Sequence, residues 1–390
     1  MSREILLPLP EIDIAPLLLV IRATACQPRL ARRLLARFDS PRAAATSFRA
    51  ARHARECAIK YQTAIELQAR LQDPRLAEQV ECDLQWLNAP GHHFLSPGSN
   101  DYPGRLEEID DPPLGLFGLG DTRLLTQPQL AVVGSRQPSR YGRQVAIRLV
   151  SELTSAGLVI ISGMARGIDG IAHRACLGAG GATIAVLGTG LDQVYPREHH
   201  ALQAEIGNQG LVISEFPLGT GVEPHQFPQR NRLVTGLSLG TLIIEARLRS
   251  GSLISARLAM EQGREVFAVP GSIHSKLSEG CHQLLRDGAT LTTSVEDILN
   301  ELPEFSACVS DMPDAFARLN LSPLQHDLLQ VLDLEQQSCD RLAARLLQPA
   351  GDILGALVRL EVQGLVRSQT GGYSLVERWL TADSEPPSGS

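Results

Sequence analysis

Between positions 129 and 272 one pattern of apolar and polar positions recurs six times. A short run rich in β-branched residues ends in a small or polar turn, and a stretch with helical spacing of apolar positions follows. The runs lie at 131–133, 158–161, 183–187, 211–213, 241–244 and 266–269. Each is apolar at consecutive positions, the mark of a strand buried on both faces, and the helical stretches between them supply the cover. The alternation predicts an α/β fold built on a parallel sheet. In such sheets ligands bind beyond the carboxyl ends of the strands. The turn residues therefore outline a candidate site: Gly134-Ser-Arg, Ser162-Gly-Met-Ala-Arg-Gly-Ile-Asp, Gly188-Thr-Gly, Ser214-Glu-Phe, Glu245-Ala and Pro270-Gly-Ser.

On either side the pattern changes. Positions 12 to 90 carry apolar residues at helical spacing, within 16–38, 58–71 and 76–87. A link follows through Asp101-Tyr-Pro-Gly, Asp111-Pro-Pro and Phe117-Gly-Leu-Gly. The strand–helix alternation runs to about 299, and 301–320 reads as a linker of mixed composition. Helical spacing at 324–332, 339–347 and 352–363, then two short extended segments around Gly371-Gly372, reads as a winged helix at 321–380. The last stretch, 381–390, is a Ser/Pro/Gly tail expected to be disordered.

Composition narrows the function. A chain of 390 residues with net charge −7 and 43% hydrophobic residues has room for two or three domains. No apolar run approaches membrane-spanning length, and the flanks of 17–21 do not read as a signal peptide. The seven cysteines are scattered, and CxxC, HExxH and HxxxH spacings do not occur. We therefore expect neither a zinc site nor a disulfide framework, and a cytoplasmic location. GxxxxGK[ST] is lacking, and Gly188-Thr-Gly190 does not extend to GxGxxG. This argues against an ATPase or an NAD-dependent enzyme, and no cofactor is expected. The charge is uneven: positions 130–270 hold 13 arginines against 10 carboxylates. A local basic groove is compatible with the acidic whole.

Three turns carry the candidate chemistry. Gly134, Ser135 and Arg136 offer close backbone approach, a hydroxyl and a planar fork suited to phosphate. Alone, they are better read as a tight turn with a solvated arginine. Gly163 and Gly167 bracket a loop that opens a helix, with Arg166 adding charge to the helix N-terminus. Asp169 and His173, four apart, read as a structural pair. The segment Phe227-Pro-Gln-Arg-Asn-Arg232 places an aromatic face beside Arg230, Asn231 and Arg232, just before helical spacing at 233–239. A nucleic-acid base could stack on Phe227 while the arginines hold phosphates. A surface loop with Phe227 tucked beneath it stands equally open. Ser250-Gly-Ser and Pro270-Gly-Ser contribute loop shape.

In this order the motifs resemble the DprA/Smf family of DNA-processing proteins over roughly 100–300. Val-Gly-Ser-Arg, Ser-Gly-Met-Ala-Arg-Gly-Ile-Asp, Ser-Glu-Phe-Pro, Phe-Pro-Gln-Arg-Asn-Arg, Ser-Gly-Ser-Leu and Arg-Glu-Val-Phe-Ala-Val-Pro-Gly carry the likeness. The resemblance implies an extended Rossmann-like sheet (101–300) between a helical, sterile-alpha-motif-like domain (1–100) and a winged helix. It further implies binding of single-stranded DNA, homodimerisation, and loading of RecA during natural transformation. By motif, the implied DNA contacts are Gly134, Ser135, Arg136, Gly163, Arg166, Gly167, Phe227, Arg230, Asn231 and Arg232, with no catalytic role. Three departures stand out. Ala25-Cys-Gln-Pro replaces a Gly-x-Gly hairpin, so no helix-hairpin-helix DNA contact is expected. His282 stands where the family has asparagine. The winged helix at 321–380 has five arginines against seven carboxylates, which favours a structural or protein-contact role over duplex binding. Two other classes remain: a nucleotide enzyme of the phosphoribohydrolase type, for which Glu245 is the nearest acid but reads as structural, and a scaffold working through the winged helix.

Overall fold

Consecutive apolar positions leave no strand face for water, and the computed structural model buries all six runs in one sheet. It describes residues 14–99, 101–302, 323–332, 337–346, 348–362, 366–369 and 372–375. The expected linker lies outside these from 303 onward, and the expected tail lies wholly outside them. The chain divides into two compact units, Met1–Phe305 and Ser306–Ser390.

The first unit begins with helices α1 (Ile14–Ala23), α2 (Pro28–Leu35), α3 (Pro41–Ser47), α4 (Ala50–Glu56), α5 (Tyr61–Leu71) and α6 (Pro74–Leu87). Proline opens α2, α3 and α6, where its missing N–H costs nothing, and Ser40 and Asp73 cap the latter two. Between α1 and α2, Ala25 and Cys26 both take left-handed backbone, φ 50° and 55°, without glycine.

The sheet comprises β1 (His92–Leu95), β2 (Leu116–Gly120), β3 (Gln129–Gly134), β4 (Val159–Ser162), β5 (Thr183–Val186), β6 (Leu211–Ser214), β7 (Gly240–Ile244), β8 (Glu265–Ala268) and β9 (Thr290–Leu291). Interleaved are α7 (Gly104–Glu107), α8 (Arg140–Ser155), α9 (Ile168–Gly178), α10 (His200–Gln209), α11 (Gln226–Leu237), α12 (Gly251–Glu261), α13 (Glu279–Arg286) and α14 (Glu296–Leu299). The strand order is β1-β2-β6-β5-β4-β3-β7-β8-β9. From β6 to β9 neighbours are parallel, while β1 and β2 add an antiparallel edge. Phe117-Gly-Leu-Gly, expected as a link, is therefore a strand of the sheet.

Alternate residues of β3 serve opposite cores. Leu130 and Val132 pack with α8 and α9, while Ala131 and Val133 pack with α11 and α12. Phe117 of β2 shares a third cluster with Leu18 of α1 and Val80 of α6. The helices thus share a core with the sheet, and the boundary expected at 100 falls inside one compact unit. Because β4 and β7 flank β3 from opposite sides, the connections diverge there. Such a switch point opens a crevice at the carboxyl ends.

In the second unit α15 (Pro323–Val331), α16 (Cys339–Leu346) and α17 (Ala350–Val362) pack around Leu328, Leu342, Ile353, Leu357 and Leu360. The antiparallel β10 (Val366–Gln369) and β11 (Gly372–Leu375) complete the winged helix, with Gln337 bridged to Tyr373.

Candidate functional site

At the end of β3, Gly134 is pressed between the Ile244 carbonyl and the Ile168 side chain, leaving no space for a Cβ. The turn is then locked from both sides. Ile168 N–H donates to the Ser135 carbonyl (3.1 Å), and Ser135 Oγ accepts from Gln137 N–H (3.1 Å). Ser139 caps α8, and its own N–H donates to Glu245 Oε2 (2.8 Å) while its hydroxyl donates to Oε1. Glu245 is buried and left-handed at φ 57°. It is therefore occupied as a clamp between β7 and α8, which leaves Arg136 exposed at the mouth of the crevice.

The loop after β4 is shaped by glycine. At Gly167, φ is +78° and a Cβ would strike the Ser135 carbonyl, so this position favours glycine twice over. Asp169, in the first turn of α9, accepts from Ala165 N–H (3.2 Å). Burial raises its carboxyl pKa, opposed by the charge of Arg230. The expected pairing of Asp169 with His173 does not form. His173 Nδ1 lies 2.9 Å from Thr183 Oγ1, which itself donates to the Ile160 carbonyl. Nδ1 is then the protonated nitrogen and Nε2 an unpaired buried acceptor. Arg166 stands exposed on the rim in a bidentate pair with Glu198, both bonds 2.9 Å.

Phe227 to Arg232 form the first two turns of α11 rather than a loop before a helix. Pro228 sits in the first turn, where no N–H is needed, so the helix starts ahead of it. The half-buried Phe227 ring lies 5.3 Å from Tyr195, with the Arg136 guanidinium 6.0 Å from its centroid. Arg230 is buried and donates to the carbonyls of Gly163 and Val186. A Cβ at Gly163 would collide with that guanidinium. Burial pushes Arg230 down to about 10, still cationic at neutral pH. Asn231 reaches the same crevice. Arg232 does not: its guanidinium pairs with Glu215 (2.6 and 3.1 Å) and Asp111 (3.8 Å), away from the crevice. Arg232, expected among the ligand contacts, is thus placed outside the crevice lining, in a buried ion pair.

The crevice has a volume of about 630 Å³. Gly134, Ser135, Arg136, Arg166, Phe227, Arg230 and Asn231 line it, and Gly163 and Gly167 support it from behind. Among the lining residues that sequence reasoning missed are Tyr195, Arg247 and Arg249. The signal was available, since Arg247 and Arg249 follow directly on β7 at the same sheet edge. Five guanidinium groups thus line the crevice with one carboxylate, that of Asp169, and Glu198 holds one of the five, Arg166, at the rim. The arrangement can hold a chain of phosphates beside an aromatic face. Among the described residues no cluster of His, Cys, Asp and Glu has metal-binding geometry, and no helix is long and apolar enough to cross a membrane.

An α/β protein with an arginine-lined crevice at its switch point is the class that fold and site define. Residues 93–303 match the family model for DNA recombination-mediator protein A, and residues 312–372 match the DprA winged helix domain. The chain belongs to this family, known as DprA/Smf. It is 43% identical over 309 residues to Protein Smf of Escherichia coli, covering 77% of this chain and 82% of the relative. To DNA processing protein DprA of Streptococcus pneumoniae it is 50% identical over 202 residues, 51% of this chain and 71% of the relative. The X-ray structure of that Streptococcus pneumoniae protein superposes with a TM-score of 0.63 at 36% identity, covering 76% of this chain and 99% of that one. DNA processing protein A of Helicobacter pylori, solved for its single-stranded DNA binding mode, gives 0.50 at 35% identity, covering 55% and 96%.

Proposed function

We propose that this chain binds single-stranded DNA in the crevice and acts as a non-enzymatic, cytoplasmic recombination mediator. In this reading it works as a homodimer, protects incoming DNA and loads RecA onto it in natural transformation. One observation carries the binding step: five arginines converge with the Phe227–Tyr195 aromatic pair at the carboxyl edge of the sheet. Guanidinium groups neutralise phosphates without reading sequence, while a ring accepts any base. The Helicobacter pylori relative, whose single-stranded DNA binding mode was solved, supports the same ligand here. The phosphoribohydrolase alternative is disfavoured, because Glu245 is consumed by Ser139.

The experiment is fluorescence anisotropy of labelled single-stranded and duplex oligonucleotides across a salt series. Tight, salt-sensitive binding that prefers the single strand is expected. Duplex preference, or no binding, would overturn the reading. RecA loading is tested separately, by following RecA filament growth on the bound strand with and without this protein.

A further inference from the structure

Where α12 opens on the crevice, hydrogen-bond donors stand without acceptors. Ser250 occupies the N-cap of this helix, the position from which a serine usually satisfies first-turn N–H groups. It does not do so here: its hydroxyl is paired with Ser252 Oγ (2.8 Å), and no side chain caps the helix. The N–H groups of Gly251 and Ser252 therefore have no acceptor among the described residues. Two neighbouring helices at this edge are closed by contrast. Ser139 caps α8, and α9 carries the Asp169 carboxylate in its first turn. The first turn of α12 holds no acid, and the aligned peptide dipoles of 11 residues stand behind it.

A second observation shows what the opening takes. Ser255, one turn further along α12, is 2% exposed and lines the crevice. Helical serines and threonines commonly turn the hydroxyl onto the carbonyl four residues back, as Thr154 and Ser155 do in α8. Ser255 makes no hydrogen bond among the described residues. Helix side chains lean toward the N-terminus, so its hydroxyl is directed at the open first turn. Arg247 and Arg249 flank the same wall, exposed and in no ion pair among the described residues. Free N–H groups, a buried hydroxyl without a partner and two cations together call for an oxyanion.

We propose that the N-terminus of α12 is a fixed seat for one phosphodiester of the bound strand, held by the Gly251 and Ser252 N–H groups and the Ser255 hydroxyl. Single-stranded DNA then lies in the crevice in a set register, whereas exposed arginines alone would let it slide. This rests on the reading of the crevice as the single-strand site and adds to it how the strand is positioned.

The test uses the full chain and an oligonucleotide of about six nucleotides, within the site sizes of single-strand binders, so that a shifted strand loses other contacts. One phosphodiester at a time is replaced by a neutral methylphosphonate. Wild type should lose most affinity at a single linkage. Ser255→Ala, which favours the helix, should keep the melting temperature. It should weaken the unmodified strand about tenfold, the scale of one hydrogen bond to a charged group. Its salt slope should equal that of wild type, because a neutral hydroxyl releases no counterion. At the sensitive linkage the substitution and the methylphosphonate should be non-additive, and at every other linkage additive, a pattern that general loosening of the helix would not give. Equal penalties at all linkages in wild type, or a Ser255→Ala protein that binds as wild type does, would overturn the seat while leaving the crevice reading standing. So would weaker binding of thymidine monophosphate by Ser255→Ala with the strand unaffected, which would assign the seat to a free phosphate. Failure of wild type to bind any strand would instead sink the crevice reading.

Discussion

Arg232 grips Glu215 in a buried pair behind the crevice, with guanidinium-to-carboxylate distances of 2.6 and 3.1 Å. Glu215 is 4% exposed and Arg232 7%. Asp111 joins the pair at 3.8 Å and is itself bonded to Arg32 of α2. Burial pushes the Glu215 carboxyl up, and the charge of Arg232 counters it. Replacing Arg232 with alanine leaves Glu215 buried without its main counter-ion. Breaking such a pair costs about 3–5 kcal/mol, so Arg232→Ala should lower the denaturation midpoint sharply. An unchanged midpoint would show that the pair contributes nothing. DNA affinity, measured well below the transition, should fall only as far as α11 shifts.

Phe227 should behave in the opposite way. Its ring is half-buried and lies beside Tyr195, so truncation removes a stacking face and little core. Stacking is worth about 1–3 kcal/mol per base. Phe227→Ala should therefore weaken single-strand binding by that amount in anisotropy, with little change in melting temperature. A variant that binds like wild type would remove Phe227 from the interface.

The cationic rim divides into engaged and disengaged arginines. Arg247 and Arg249 are exposed and make no ion pair among the described residues, whereas Arg166 is held by Glu198. Substituting Arg247 or Arg249 with glutamine should reduce the salt slope by ~0.7 each, uniformly across DNA sequences. Glu198→Gln releases Arg166 and removes a negative charge from the rim. Affinity should rise, and a fall would mean that the pair orders the rim for binding.

The six apolar runs were legible because burial on both faces leaves one solution, and all six became parallel strands. The short β9 and the antiparallel β1 and β2 gave no comparable run. His92-His-Phe-Leu is too polar, and Leu116 to Gly120 is interrupted by glycine. Orientation around α11 was hidden for a different reason. A helix turns about 100° per residue, so from Phe227 the side chain of Arg230 returns to within about 60° and that of Arg232 points about 140° away. Composition placed both arginines in one cluster, and only the true start of the helix separates them.

His173 makes one acid-sensitive element inside the sheet-covering layer. Burial lowers its pKa from 6.5 to about 3, with smaller contributions from the nearby charges of His199, Arg230 and Arg174. In the unfolded chain the imidazole takes up a proton as pH falls through 6.5, whereas in the folded protein it stays neutral until about 3. Between those values the unfolded state binds more protons, so stability contributed by His173 is full above the upper value and lost as pH falls toward the lower one. His173→Gln cannot titrate. Its unfolding free energy, lower at neutral pH for loss of the Thr183 contact, should decline less steeply than wild type across this window in denaturant titrations. Parallel declines would mean that other groups, such as His199, whose pKa burial also lowers, set the acid limit of the fold.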